Sequence, residues 1–172
     1  VLTGRQYVGK DGLGNDISSS YQDTNNNFYC ISPSSGIKVY LPEKDIFVPF
    51  EMEGLPQYFP IVTMYKDRRG DFWFGTFKGG LYRKVKSTGQ MKFYDIRDGL
   101  AKNFVSFITE DYRGNVWIGT FGGGITLFYD EKLRTYNKSN GLEALTVHAM
   151  VEDNEKNIII ADHYTGISIF KG

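Results

Sequence analysis

Apolar runs of about four to six residues recur along the chain, broken by clusters of Gly, Asn and Asp. From residue 104 the sequence reads "FVSFITED", "VWIGT", "ITLFYD" and "RTYNKS", separated by "YRGN", "FGGG" and "EKL". Short aromatic and β-branched runs bounded by turn-forming residues predict strands. No apolar stripe of helical spacing extends beyond about two turns. The second run of each set, "FYCI", "FWFG", "VWIG" and "IIIA", does not alternate apolar with polar. A strand apolar on both faces is buried on both faces.

The runs repeat in register. An acidic or amide residue precedes Gly-Leu at Gly12, Gly54, Gly99 and Gly141. Downstream come Asp23, Asp67, Asp111 and Asp153, each followed thirteen positions later by Gly36, Gly80, Gly124 and Gly166. The expected architecture is all-β: β-propeller blades, four repeats of about 43 residues, each a four-stranded antiparallel sheet. The expected units are residues 9–50, 51–95, 96–138 and 139–172. Residues 5–8, "RQYV", align with the fourth strands "KFYD" and "RTYN", so strand 5–8 completes a blade. The last unit ends on a third strand. Four units are either part of a larger propeller or closed by self-association, because the apolar faces of end blades otherwise stay exposed. A two-chain, eight-bladed ring is the favoured closure of the isolated chain, with four-bladed closure the alternative.

Composition adds exclusions. The 172 residues hold 20 Lys+Arg and 20 Asp+Glu, a formal net charge of zero. That balance gives no electrostatic footprint for nucleic acid, and no run is long enough to span a membrane. One cysteine, Cys30, cannot build a disulfide or a zinc cluster. The first residue is Val1 and no leader follows it, so the chain reads as a fragment or processed form.

"ITEDYRGNVWIGTFGGGITLFYD" followed by "NGL", and "VTMYKDRRGDFWFGTFKGGLYR", resemble the two-component regulator propeller repeat. The flanking units, around Tyr29 and Ile159, lack its Trp. Such repeats occur in periplasmic sensor regions of hybrid two-component histidine kinases, commonly of gut Bacteroidetes, many of which respond to glycan-derived oligosaccharides. The resemblance implies an extracytoplasmic, periplasmic sensor segment of an inner-membrane receptor. Its partners would be an oligosaccharide and other blades of the parent or a second copy, without direct membrane contact.

Candidate chemistry is sparse. A triple glycine at 122–124 suggests a phosphate cradle, but a strand follows it rather than the helix such a cradle needs. The recurring Asp residues, with Asn or Asp four positions on, suggest calcium; a structural role accepting turn N–H groups is favoured. Neither a metal nor a cofactor is expected. Function should lie where the units differ, in the loops gathered at one end. Those loops present Tyr58, Lys78, Lys102, Asn103, Asp162, His163 and Tyr164, and His148 starts an innermost strand facing the channel. Aromatic rings beside amides and charges suit sugars. Phe77 and Phe121 recur and are expected to fill space between blades. His148 with Asp162 and His163 admits a propeller lyase or hydrolase acting on polysaccharides or macrocycles, but no full catalytic constellation accompanies them. A scaffold of the WD-repeat kind is the third reading.

Overall fold

The computed structural model describes residues 6–55 and 60–171. Fifteen strands form four antiparallel sheets, each in sequential order. The first comprises β1 (Ser19–Gln22), β2 (Phe28–Ser32), β3 (Gly36–Leu41) and β4 (Ile46–Pro49). The second comprises β5 (Ile61–Lys66), β6 (Phe72–Thr76), β7 (Leu81–Lys84) and β8 (Met91–Tyr94). The third comprises β9 (Val105–Glu110), β10 (Val116–Thr120), β11 (Ile125–Tyr129) and β12 (Lys132–Tyr136). The fourth has only β13 (Val147–Glu152), β14 (Ile158–Asp162) and β15 (Gly166–Phe170). Short 3-10 turns at Gly9–Asp11, Ile96–Asp98 and Lys138–Asn140 lead into the first, third and fourth blades. This is an array of propeller blades.

The second strand of each blade holds two interfaces at once. Trp117 on β10 packs against Val147, Met150, Ile158 and Ile160 of the fourth blade. Its neighbour Ile118 points the other way and packs with Trp73 of the second blade. Both faces are dry, which is why the strand carries no polar alternation. The next position must be small: a Cβ on Gly119 would lie 2.5 Å from a Val147 methyl, and one on Gly75 2.6 Å from a Val105 methyl.

The recurring Asp builds the first turn. Asp111 accepts from the Arg113 and Asn115 backbone N–H groups and from the Trp117 indole at 3.0 Å. Burial opposes its charge, but the hydrogen bonds from Trp117, Asn115 and Arg113 outweigh it and hold the carboxyl below the usual range. Asp67 accepts from Trp73 at 2.9 Å, whereas Asp23 and Asp153 take the Asn27 and Asn157 side chains instead. No cluster of metal-ligating side chains exists among the described residues. The glycine thirteen positions on also has a steric cause: Gly124 has φ 92°, and a Cβ there would sit 2.2 Å from the Tyr136 carbonyl oxygen.

Two expectations need correction. The fourth strand of the third blade begins at Lys132, not Arg134, because Asp130 and Glu131 form a two-residue turn with φ 48° and 56°. Residues 6–8 form no strand, and Arg5 lies outside the described residues. Tyr7 nonetheless meets Tyr40 edge-on at 5.8 Å, as Tyr94 meets Phe128 and Tyr136 meets Phe170. It therefore occupies the outer-strand place of a preceding blade, lacking a ladder partner there. The blades make an arc and not a closed four-bladed ring: Val151, Ile167 and Ile169, on the far face of the fourth blade, are 58%, 70% and 58% exposed.

Candidate functional site

The inner strands β5, β9 and β13 each carry a bulge, with Val62, Ser106 and His148 as the extra residues. A bulge re-aims one side chain without moving the rest of the strand. Ser106 uses this freedom to donate to the Val147 carbonyl of the next blade at 2.6 Å, and Ser18 donates likewise to the Val62 carbonyl at 3.0 Å. His148 holds the same place in the last blade and is exposed.

The four inner strands surround a cavity of about 600 Å³. Its polar lining is chiefly hydroxyls from Ser18, Ser20, Thr63 and Thr109, with His148 and His163 at one side. The two imidazole centroids stand 6.3 Å apart. Tyr164 stacks edge-on against His163 at 4.7 Å and is otherwise 75% exposed, outside the cavity. Asp162 adds no free carboxylate to this pair. It accepts from the backbone N–H groups of Thr146, Tyr164 and Thr165. Burial opposes its charge, and these bonds outweigh it and hold the carboxyl low.

A second cavity, about 680 Å³, opens between the second and third blades. Lys78, Lys102 and Asn103 line it, above Phe104 and Phe121. Phe104 and Phe121 also line the first cavity, so they form the wall between the two. Phe104 stacks on Phe121 at 5.1 Å and 18°, and Phe77 meets Phe104 edge-on at 4.7 Å. Phe77 and Phe121 are 41% and 45% exposed. They do not fill space between blades as expected; the loops carry them out onto the end of the molecule.

Of the residues singled out in the sequence, Lys78, Lys102 and Asn103 come together in one cavity, and His148 and His163 in the other. Tyr58 lies outside the described residues. Phe104, immediately before β9, lines both cavities. The repeat of Phe77 and Phe121 next to turn glycines was the available signal.

The family described as two component regulator propeller has a model that matches residues 54–78 and 99–122, the second and third blades. No curated protein sequence matches the chain. Among solved structures, the chain resembles the extracellular domain attributed to the hybrid two component system BT3049 of B. thetaiotaomicron, with TM-score 0.71 and 24% identity. The match covers 92% of this chain and 23% of that one. The extracellular domain attributed to BT4673 of the same organism matches with TM-score 0.70, 24% identity and 92% and 22% coverage. Virginiamycin B lyase from Staphylococcus aureus matches with TM-score 0.62 and 15% identity over 89% of this chain and 54% of that one. The chain thus spans under a quarter of the first two. No helix among the described residues is long and apolar enough to cross a membrane.

Proposed function

We propose, from a chain whose two central blades carry the two-component regulator propeller repeat, that it is the ligand-binding segment of a periplasmic sensor responding to a glycan-derived oligosaccharide. The observation that carries this reading is the aromatic row Phe77, Phe104 and Phe121, with Phe77 and Phe121 exposed and half-buried Phe104 between them, flanked by two cavities. Exposed rings beside hydrogen-bonding side chains suit pyranoses, whose C–H faces stack on the ring while hydroxyls find donors. The segment binds and does not turn over. His148 and His163 are the only imidazoles, and the nearest acidic residue in sequence, Asp162, has its carboxylate engaged by backbone. No Asp or Glu lines the cavity beside them, so a full constellation for general acid–base work on a sugar is not assembled there.

Isothermal titration of the chain with a panel of neutral and acidic oligosaccharides, with product analysis of the same mixtures, tests this. The expected result is saturable binding of at least one member, weakened about tenfold or more by Phe121→Ala, and no new products. Absence of binding across the panel defeats the sensor reading. Product formation abolished by His148→Ala or His163→Ala would establish the lyase alternative.

A further inference from the structure

The cavity between the second and third blades has an unbalanced set of polar groups. Lys78 and Lys102 line it, and among the described residues neither makes an ion pair or hydrogen bond through its ammonium; Lys78 Nζ rests 5.1 Å from its neighbour Phe77's ring centroid. Lys66, Lys92 and Lys138 are paired with Asp23, Glu131 and Glu143, whereas Lys38, Lys44 and Lys86, like the two here, have no ammonium partner among the described residues; what sets Lys78 and Lys102 apart is that they share one cavity. No Asp or Glu lines the cavity. Asn103 accepts from the Ile96 N–H through its carbonyl oxygen, which leaves its NH₂ as the free end. The remaining acceptors are engaged: Thr135 is bonded to Gly99 and Thr126, and Asn137 accepts from Ser139. The charged side chains that face the space are both positive, and the free end of Asn103 is a donor, in a chain with zero net charge.

Lys78 also occupies a costly place. Its φ is 80°, and the matching position of the third blade is Gly122 at 85°. A left-handed conformation is strained for a non-glycine residue. Keeping a lysine where the sister turn has glycine places an ammonium at the cavity mouth at the expense of backbone comfort.

Building on the proposed glycan reading, we infer that this cavity, floored by Phe104 and Phe121 and rimmed by Lys78, Lys102 and Asn103, takes an acidic sugar unit, one bearing a carboxylate or a sulfate. The rings receive the apolar face of the pyranose. The two ammonium groups and the Asn103 amide surround its anionic substituent, where charge-assisted hydrogen bonds are stronger than neutral ones.

Titration of the chain with trigalacturonate, with its carboxyl-reduced neutral counterpart and with a sulfated galactose trisaccharide separates the possibilities. The expected result is that at least one acidic trisaccharide binds about tenfold or more tighter than the neutral one, with an affinity that falls as salt rises. Whether trigalacturonate or the sulfated sugar leads identifies the anion. Lys78→Met and Lys102→Met keep the aliphatic stems and remove the charge. Each should weaken the acidic ligand about tenfold and any neutral ligand by clearly less, with thermal midpoints unchanged. Equal affinity for acidic and neutral trisaccharides, or acidic binding indifferent to both lysine changes, overturns the inference and leaves the sensor reading in place. Failure of all three sugars to bind overturns the inference; failure of the wider panel as well removes the sensor reading beneath it.

Discussion

Glu110 is the least satisfied side chain among the described residues. Its Oε2 accepts from the Arg68 backbone N–H at 3.0 Å, and the Arg68 guanidinium lies 3.6 Å away, but Oε1 is buried without a partner. Burial raises its pKa, Arg68 works in the opposite sense, and the charges of Asp67 and Asp111 add to the rise. The carboxyl therefore holds its proton more tightly folded than unfolded. Its contribution to stability is whole below the ordinary glutamate pKa and is lost as pH rises through the higher folded value. Glu110→Gln should accordingly be more stable than the parent near pH 7, with the difference vanishing below about pH 4. Urea midpoints across that range measure it. A variant less stable at neutral pH would show that pairing with Arg68 outweighs burial. The same bridge recurs one blade on, where Glu152 accepts from the Tyr112 N–H at 3.2 Å.

At the level of the strand, β10 sets the register of the third blade by facing two neighbours. Trp117→Ala should cost about 3–5 kcal/mol, as for large buried aromatics. Trp117→Phe, which keeps a ring but removes the indole donor to Asp111, should cost about 1.5–3 kcal/mol. Chemical denaturation of both variants is the measurement; a loss below about 1 kcal/mol for the alanine variant would contradict the packing described for this strand. Such strands were legible beforehand because geometry demands particular residues at fixed offsets. Asp at the first turn must accept N–H groups, and Gly at the second must take positive φ. The Asp130–Glu131 turn was not legible, since neither residue advertises positive φ as Asn-Gly does. Lys78, Lys102 and Asn103 could be assigned to loops at one end from the repeat alone. Their separation from His148 and His163 into two cavities could not, because it depends on where Phe104 and Phe121 stand between them.

The whole molecule ends on an uncovered interface. Val151, Ile159 and Ile169 lie side by side across β13, β14 and β15, on the far side of the last sheet from the third blade. In the earlier blades the position of Ile159 is held by Tyr29, Trp73 and Trp117, which are 4%, 0% and 3% exposed because the next blade covers them. A further blade would cover this face as the next blade covers the earlier ones, and the one expected to do so for the isolated chain is the first blade of a second copy. Tyr7 already sits where the outer strand of the blade before it belongs, so residues 6–8 of that copy could extend β15. The chain alone should self-associate at micromolar concentration, and Ile167→Glu with Ile169→Glu should leave it monomeric. Light scattering after gel filtration decides; a compact monomer of the unaltered chain would sink the head-to-tail association.

The bulges at Val62, Ser106 and His148 carry a different implication, for how such a molecule diversifies. Each inserts a residue that no ladder position has to match, so its identity is uncoupled from the alternation that buries the blade. Valine, serine and histidine already occupy the three equivalent places. The lining of the cavity can thus be re-lettered one residue at a time while the blades keep their sequence, so the chemistry it presents can change without first renegotiating the fold.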